Sequence, residues 1–547
     1  MTGDRRWITL IVVAGLLFLV PGIFHLPLLD RDEARFARAA VEMLERDSPL
    51  VPWFNGEYRF DKPPLTYWLM WPGLMAMGEK EAAVRLPSVL GAVLIGVLIF
   101  SLGRKMGMSG KDAGLAAMAW LCSLQVMIHG RMAVADMNLM VFLVLSMRCL
   151  WELYEGGYGF RDGVRRACFH GLWIAMGLGF LAKGPLAMVV PLLALLLTGL
   201  MEWKWKPEGG RRVPAALPLL LAAMLPAIGL VALWGVPALM ETRGLFLQVG
   251  IGTHVVERGL ESFNNRIHIP GIYYLLVLPF FIAPWAGRLP AIRDSVTSHG
   301  RTGIFLAGWV LAPFVIFSFF ATQLPHYVLP AYPAILLLMA LGIGTAKVGW
   351  LSKILGMLVA VVFLALAFAT VWGAVLAREF DPGMVLLLSG MAVLTSAIAL
   401  SSVLALQKDG GWKAVAVMGV MGAAGFQITA MGLSRVHVTK RLINDMGGNW
   451  MRPAAAGYQE PSLVWYGSCE WEMGGVSSET ADAQVLRGKH WRLDGKTVKS
   501  LLKGESPAPS REISVEHADL IRGGARKVEG LSIADGCWVE LWYFTQE

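Results

Sequence analysis

At 547 residues, with 56% hydrophobic and 16% charged positions, the chain has the composition of a polytopic membrane protein and not that of a water-soluble domain. The net charge of +8 is spread over connections between apolar runs, without the spacing of a nucleic-acid module, so nucleic acid is not an expected partner. Five cysteines without CxxC or zinc-type spacing exclude a zinc ribbon or a redox motif.

A hydrocarbon core of about 30 Å takes roughly 20 apolar residues to cross. Runs of that kind lie near 7–24, 82–103, 113–130, 137–154, 169–190, 185–200, 214–236, 271–287, 302–320, 328–345, 353–376, 382–406 and 413–433. They predict an all-α membrane body of about thirteen helices, because lipid leaves no other way to satisfy the backbone. The fifth and sixth overlap because Lys183-Gly184-Pro185 interrupts them. No small-residue cleavage site follows Phe24, so the first run reads as a retained helix.

Basic residues fall at every second connection, among them Arg5, Arg6, Arg104, Lys105, Arg165, Arg166, Lys204, Lys206, Arg293, Lys353 and Lys408. The positive-inside rule makes those connections and the N-terminus cytoplasmic. Parity then puts 25–81, 131–136, 237–270, 321–327 and everything after about 434 on the outer side, where the unusual polar residues gather.

In the first outer loop, Asp30, Asp32 and Glu33 precede a helical pattern over 34–47, expected to lie along the membrane surface. Carboxylates there can cap the helix. Three acids exceed what a cap needs, and Arg35 is placed to hold one ionised, which suits a general base or a metal ligand. Asp61-Lys62 follows, fixed before Pro63-Pro64 and before an apolar run to Met77 that is too short to span and contains Pro72. Lys62 then sits at headgroup depth, suited to a phosphate or to snorkelling.

Asp136 lies in a short turn between spans, with Arg131 as its plain ion-pair partner. Lys183 stands at a Gly-Pro break. The long outer loop carries His254, Glu257 and Arg258, with His254 and Arg258 spaced to share a helix face. Pro325-His326-Tyr327 joins two later spans, as ligands or as part of an aromatic belt. Residues 434–547 read as a separate small α/β domain after the membrane domain 1–433, with strands near 462–466 and 537–543 and a helix near 512–523. Cys469 and Cys537 both fall in it, and a disulfide between them is left open.

Taken in order, Asp32-Glu33-Ala34-Arg35-Phe36, Asp61-Lys62-Pro63-Pro64-Leu65-Thr66-Tyr67-Trp68, Arg85-Leu86-Pro87-Ser88, Asp136-Met137, Leu181-Ala182-Lys183-Gly184-Pro185 and Leu324-Pro325-His326-Tyr327-Val328-Leu329-Pro330 resemble GT-C membrane glycosyltransferases. The resemblance is to bacterial relatives of protein O-mannosyltransferases and to the aminoarabinose transferases that modify lipid A. It implies a sugar carried on undecaprenyl phosphate, moved with inversion to lipid A, another glycolipid or a protein at the periplasmic face of the inner membrane. Asp32, Glu33 and Asp136 would then be catalytic. Arg35, Lys62, Lys183, Arg258 and Tyr327 would bind the donor phosphate, and Asp61 and His254 a divalent metal. The aminoarabinose transferases typically carry Glu before Lys-Pro-Pro where this chain has Asp61. No nucleotide-binding motif is present in the sequence, as suits a lipid-phosphate donor. A transporter or flippase for a lipid-linked sugar is the rival reading; it predicts inverted repeats and midplane charges.

Overall fold

The computed structural model describes residues 2–157, 163–208, 210–250, 271–343, 348–447, 450–473, 481, 483–492 and 525–545. His254, Arg258 and the expected helix near 512–523 lie outside the described residues.

Each predicted span corresponds to helix. The first ten helices are α1 Thr2–Leu19, α2 Asp32–Glu45, α3 Leu65–Met77, α4 Glu81–Lys105, α5 Gly110–Leu121, α6 Leu124–His129, α7 Ala135–Glu155, α8 Gly163–Lys183, α9 Leu186–Trp205 and α10 Val213–Glu241. Among the described residues, nine helical stretches are long and apolar enough to cross a membrane. The expected span at 113–130 is broken instead into α5 and α6 at Cys122-Ser123. The run at 271–287 gives a nine-residue helix, Tyr273–Phe281. α1 carries Asp4, Arg5 and Arg6, and α8 carries Arg165, Arg166 and Lys183, which lowers their apolar character.

α8 ends at Lys183 because Gly184, at φ +104°, turns the chain and Pro185 starts α9. α3 crosses α4 so closely that a Cβ on Gly73 would lie 2.3 Å from the Ala83 carbonyl oxygen, so glycine is required there.

α2, expected along the membrane surface, is packed into protein on its apolar face. Its Phe36, Ala37, Ala40 and Met43 are buried with Tyr67 and Met70 of α3, and Trp465 of the C-terminal domain joins the same cluster. Between α2 and α3, strands β1 Trp53–Phe54 and β2 Glu57–Tyr58 form a hairpin. Asn55 and Gly56 turn it with positive φ, and Glu42 accepts their two N–H groups at 2.8 and 3.2 Å.

The C-terminal part builds a five-stranded mixed sheet of β3 Pro453–Ala456, β4 Glu472–Met473, β5 Ala483–Arg492, β6 Arg526–Ser532 and β7 Cys537–Thr545, ordered β4-β3-β5-β7-β6. The helices Val438–Met446 and Pro461–Gly467 share its core through Val438, Leu442, Leu463 and Val464. The expected strand at 462–466 is therefore a helix, started by Pro461 at its first position. Cys469 and Cys537 are not bridged; the Cys537 sulfur, buried in β7, lies 3.7 Å from the donor Nη2 of Arg487.

Candidate active site

Two cavities of about 180 Å³ each open beside the α8–α9 break. Lys62, Lys183 and Pro185 line both. The first also takes Asp136, Phe317, His326 and Tyr327; the second takes Phe60, Asp61, Trp234 and Phe246. Cationic and hydrogen-bonding tips thus meet in walls that are otherwise apolar and aromatic, the composition suited to a phosphate with a hydrocarbon tail.

Lys183 Nζ lies 2.5 Å from Asp136 Oδ1, with both side chains mostly buried. The partner expected for Asp136, Arg131, turns away and donates to the carbonyls of Phe18, Pro21 and Met127. His129 and His326 complete the cluster with their rings 4.8 Å apart, and Gln125 holds the His129 Nδ1 at 2.7 Å. Tyr327 packs on Phe317 at the rim.

Asp61 stands among cations, 2.8 Å from Arg59 Nη2 and 3.6 Å from Lys62 Nζ. A divalent ion would have to displace them, so the described surroundings of Asp61 do not fit a metal site. The described donor set with the right chemistry is His129, Asp136 and His326, whose ligand atoms lie within 4.8 Å of one another; an ion there would compete with Lys183 for Asp136.

Glu33 is fully buried and points into the fold. Arg85 Nε and Nη2 grip its two oxygens at 3.0 and 2.8 Å, and the N–H groups of Leu29 and Ala133 donate to it at 2.9 and 2.6 Å. With its acceptor sites spent this way, Glu33 ties α2 to α4 and to the turn before α7.

Asp32, one residue earlier, is exposed. Arg31 is the N-cap of α2 and makes no side-chain cap bond, so capping does not account for Asp32. Its carboxylate makes no hydrogen bond to a described residue. Asp32 lines neither cavity, yet it lies in the field of Arg35 and Arg59. Burial, then Arg59, pulls the Arg35 guanidinium down, with Asp32, Asp61 and Glu460 opposing. Burial also works against the charge of Arg59, but Tyr67, Asp61 and Asp32 together hold it above its ordinary range. Arg59 and Glu460 had no motif to mark them; Arg59 differs from a surface arginine only in standing two residues before Asp61.

Glu460 sits over this loop from the C-terminal domain. Burial and then Asp30 push its carboxyl up to about 7, against Arg31 and Arg35, with Asp535 adding to the rise. A carboxyl raised in the folded state gives stability that is complete below its unfolded range and is lost as pH rises through about 7. The melting temperature of the protein is therefore expected to fall between pH 5 and 8, and Glu460→Gln to flatten that fall. Parallel profiles for both proteins in a thermal-unfolding series would contradict this.

The described residues thus combine a helical body with cations at two small cavities, an acidic loop beside them and a small sheet domain after them. Residues 61–231 match the family described as dolichyl-phosphate-mannose-protein mannosyltransferase, and the chain is similar to that group over this stretch. It is 32% identical over 339 residues to the undecaprenyl phosphate-alpha-4-amino-4-deoxy-L-arabinose arabinosyl transferase of Edwardsiella ictaluri, covering 61% of this chain and 58% of that protein. To the enzyme of the same name from Pseudomonas aeruginosa strain UCBPP-PA14 it is 29% identical, over 62% of this chain and 60% of that one. The aligned stretches thus span about three fifths of those relatives' length. The crystal structure of ArnT from Cupriavidus metallidurans bound to undecaprenyl phosphate superposes with a TM-score of 0.68 at 18% identity, covering 98% of each chain, which establishes a shared fold.

Proposed function

We propose that this multi-pass protein transfers a sugar from an undecaprenyl-phosphate donor to an acceptor hydroxyl or phosphate, lipid A being the acceptor that the sequence resemblance implies. The carrying observation is the convergence of Lys62, Lys183, His326 and Tyr327 on cavities that Asp61 and Asp136 also line and whose remaining walls are apolar and aromatic. The relatives' names supply the donor class. Arg258 and His254 are carried as donor-phosphate and metal residues on the resemblance alone.

In this reading the acceptor oxygen attacks the anomeric carbon from the face opposite the phosphate, with inversion. The carbon–oxygen bond to phosphate breaks, and the leaving phosphate keeps the electron pair. Asp32 takes the acceptor proton. Lys62 and Lys183 match the charge growing on the phosphate in a site with little water, while Asp136 holds Lys183 in place. Arg35 and Arg59 stand beside the acidic loop and can meet an anionic acceptor. A divalent ion held by His129, Asp136 and His326 would add Lewis-acid polarisation of the phosphate. The positive-inside pattern puts this face in the periplasm, with the N-terminus cytoplasmic and the protein in the inner membrane.

The test is transfer by purified protein in detergent from labelled undecaprenyl-phosphate sugars to envelope acceptors. Label appearing in an acceptor supports the reading and identifies the product. Movement of label across a vesicle without transfer would favour the flippase. Lys62→Ala is expected to raise the KM for donor about 10- to 100-fold by losing a charge-assisted contact. Unchanged donor kinetics would return Lys62 to snorkelling.

A further inference from the structure

Asp32 has an exposed carboxylate that makes no hydrogen bond or close ion pair with a described residue, so its position is set mainly through the backbone on either side. Glu33 follows it, locked into the membrane body by Arg85. Asp30 precedes it, locked into the C-terminal domain: its Oδ1 accepts the N–H of Ser462 at 2.9 Å, and its side chain is fully buried. The adjoining residues are held from the same side. Leu28 N–H donates to the Tyr466 hydroxyl at 2.9 Å. Arg31 lies 3.7 Å from Glu460 and 3.5 Å from Asp535, and Arg487 holds the other Asp535 oxygen at 2.8 Å.

Burying a carboxylate is costly unless its oxygens are well bonded. Here the second oxygen is not: Asp30 Oδ2 and His437 Nε2 are both buried without a hydrogen-bond partner and face each other at 3.8 Å, beyond hydrogen-bond reach. The Ser462 bond is thus the one close polar contact of Asp30 among the described residues, and it joins the residue two before Asp32 to a helix of the C-terminal domain.

We propose that Asp30 is a positioning residue for the transfer reaction, and that the C-terminal domain takes part in catalysis by holding Asp32 at the reacting atoms through the Asp30–Ser462 bond. This rests on the assignment of Asp32 as the base. Asp30 touches neither substrate nor phosphate. Its loss changes where Asp32 stands and leaves the cavities of Lys62 and Lys183 alone. A displacement of about 1 Å at a reacting group is worth on the order of 10²-fold in rate.

The experiment measures kcat, donor KM and melting temperature on the purified full chain. The variants are Asp30→Ala, Asp30→Asn, Ser462→Pro, Ser462→Ala and Asp32→Asn. Ser462→Pro removes the N–H that Asp30 accepts, an N–H that no intrahelical bond uses in the first turn; because a proline there also strains the helical Pro461 before it, its melting temperature is read beside its kcat. Ser462→Ala keeps that N–H and loses only the hydroxyl bond to Thr439, so it is the control. Asp30→Ala and Ser462→Pro are each expected to lower kcat about 10- to 100-fold with donor KM within about twofold of wild type. Asp30→Asn, whose amide oxygen still accepts, and Ser462→Ala should keep at least about a third of kcat, judged against that same scale. Hydrogen exchange over residues 28–35 should speed up in Asp30→Ala and Ser462→Pro alone.

Wild-type kcat in Asp30→Ala and Ser462→Pro overturns the proposal. So does a joint loss of kcat, donor affinity and melting temperature, which would make the bond merely structural. Undiminished transfer by Asp32→Asn, or none by the wild type, would instead strike the underlying reading and take the proposal with it.

Discussion

Asp32→Asn should lower the transfer rate by about 10²- to 10⁴-fold, the range over which a positioned proton acceptor acts, with the melting temperature unchanged. The exchange keeps the shape and removes the charge. Since the carboxylate is exposed and caps nothing, no fold-stabilising bond is lost with it. Single-turnover transfer from a labelled donor reads the effect without interference from product release. Turnover near that of the wild type would remove Asp32 from the mechanism and leave the acidic loop with electrostatic work only.

Arg85→Met should be the most destabilising change among those considered, by about 3–5 kcal/mol, because it strands the fully buried Glu33 carboxylate without its charge partner. Both side chains are fully buried, and Arg85 also donates to the carbonyls of Leu26 and Pro27. Adding Glu33→Gln to Arg85→Met should recover part of the loss, since a neutral amide costs less to bury and its oxygen can still take the Leu29 or Ala133 N–H. Thermal unfolding of the two variants in the same detergent measures this. Equal stability of Arg85→Met and wild type would show the pair to be dispensable to the fold.

The membrane body was legible because apolar length is a strong signal, and the Lys183-Gly184-Pro185 break was legible because glycine and proline punctuate a helix unambiguously. The split at Cys122-Ser123 was not: neither residue breaks a helix by itself, and the chain turns there because Leu124 N–H reaches the carbonyl of Ala283 at 2.9 Å, a contact distant in sequence. Ser462-Leu463-Val464-Trp465-Tyr466 shows the ambiguity of a short alternating run, for which Pro461 was the better guide. Asn55-Gly56 is a strong hairpin pair, obscured by strands of only two residues each.

At the site, Lys62, Asp136, Lys183 and Tyr327 could be picked out singly as costly or oddly placed polar residues near a membrane, and the structure gathers them at one cavity. What could not be read was partnership. Adjacent acids Asp32 and Glu33 look equivalent in sequence, and only the arrival of Arg85 from α4 separates a buried tether from an exposed carboxylate. Likewise Asp136 had Arg131 nearby in the chain and takes Lys183 from another helix.

The bonds that finish the acidic loop join residues 432 and 438 positions apart, Asp30 to Ser462 and Leu28 to Tyr466. During synthesis at roughly 5–20 residues per second, the loop therefore waits on the order of 20–90 s between its own emergence and that of its partners. Over that interval the membrane helices after α1 are made while the segment around Asp32 lacks its supports from Ser462 and Tyr466. The loop becomes complete only after the rest of the protein has been delivered.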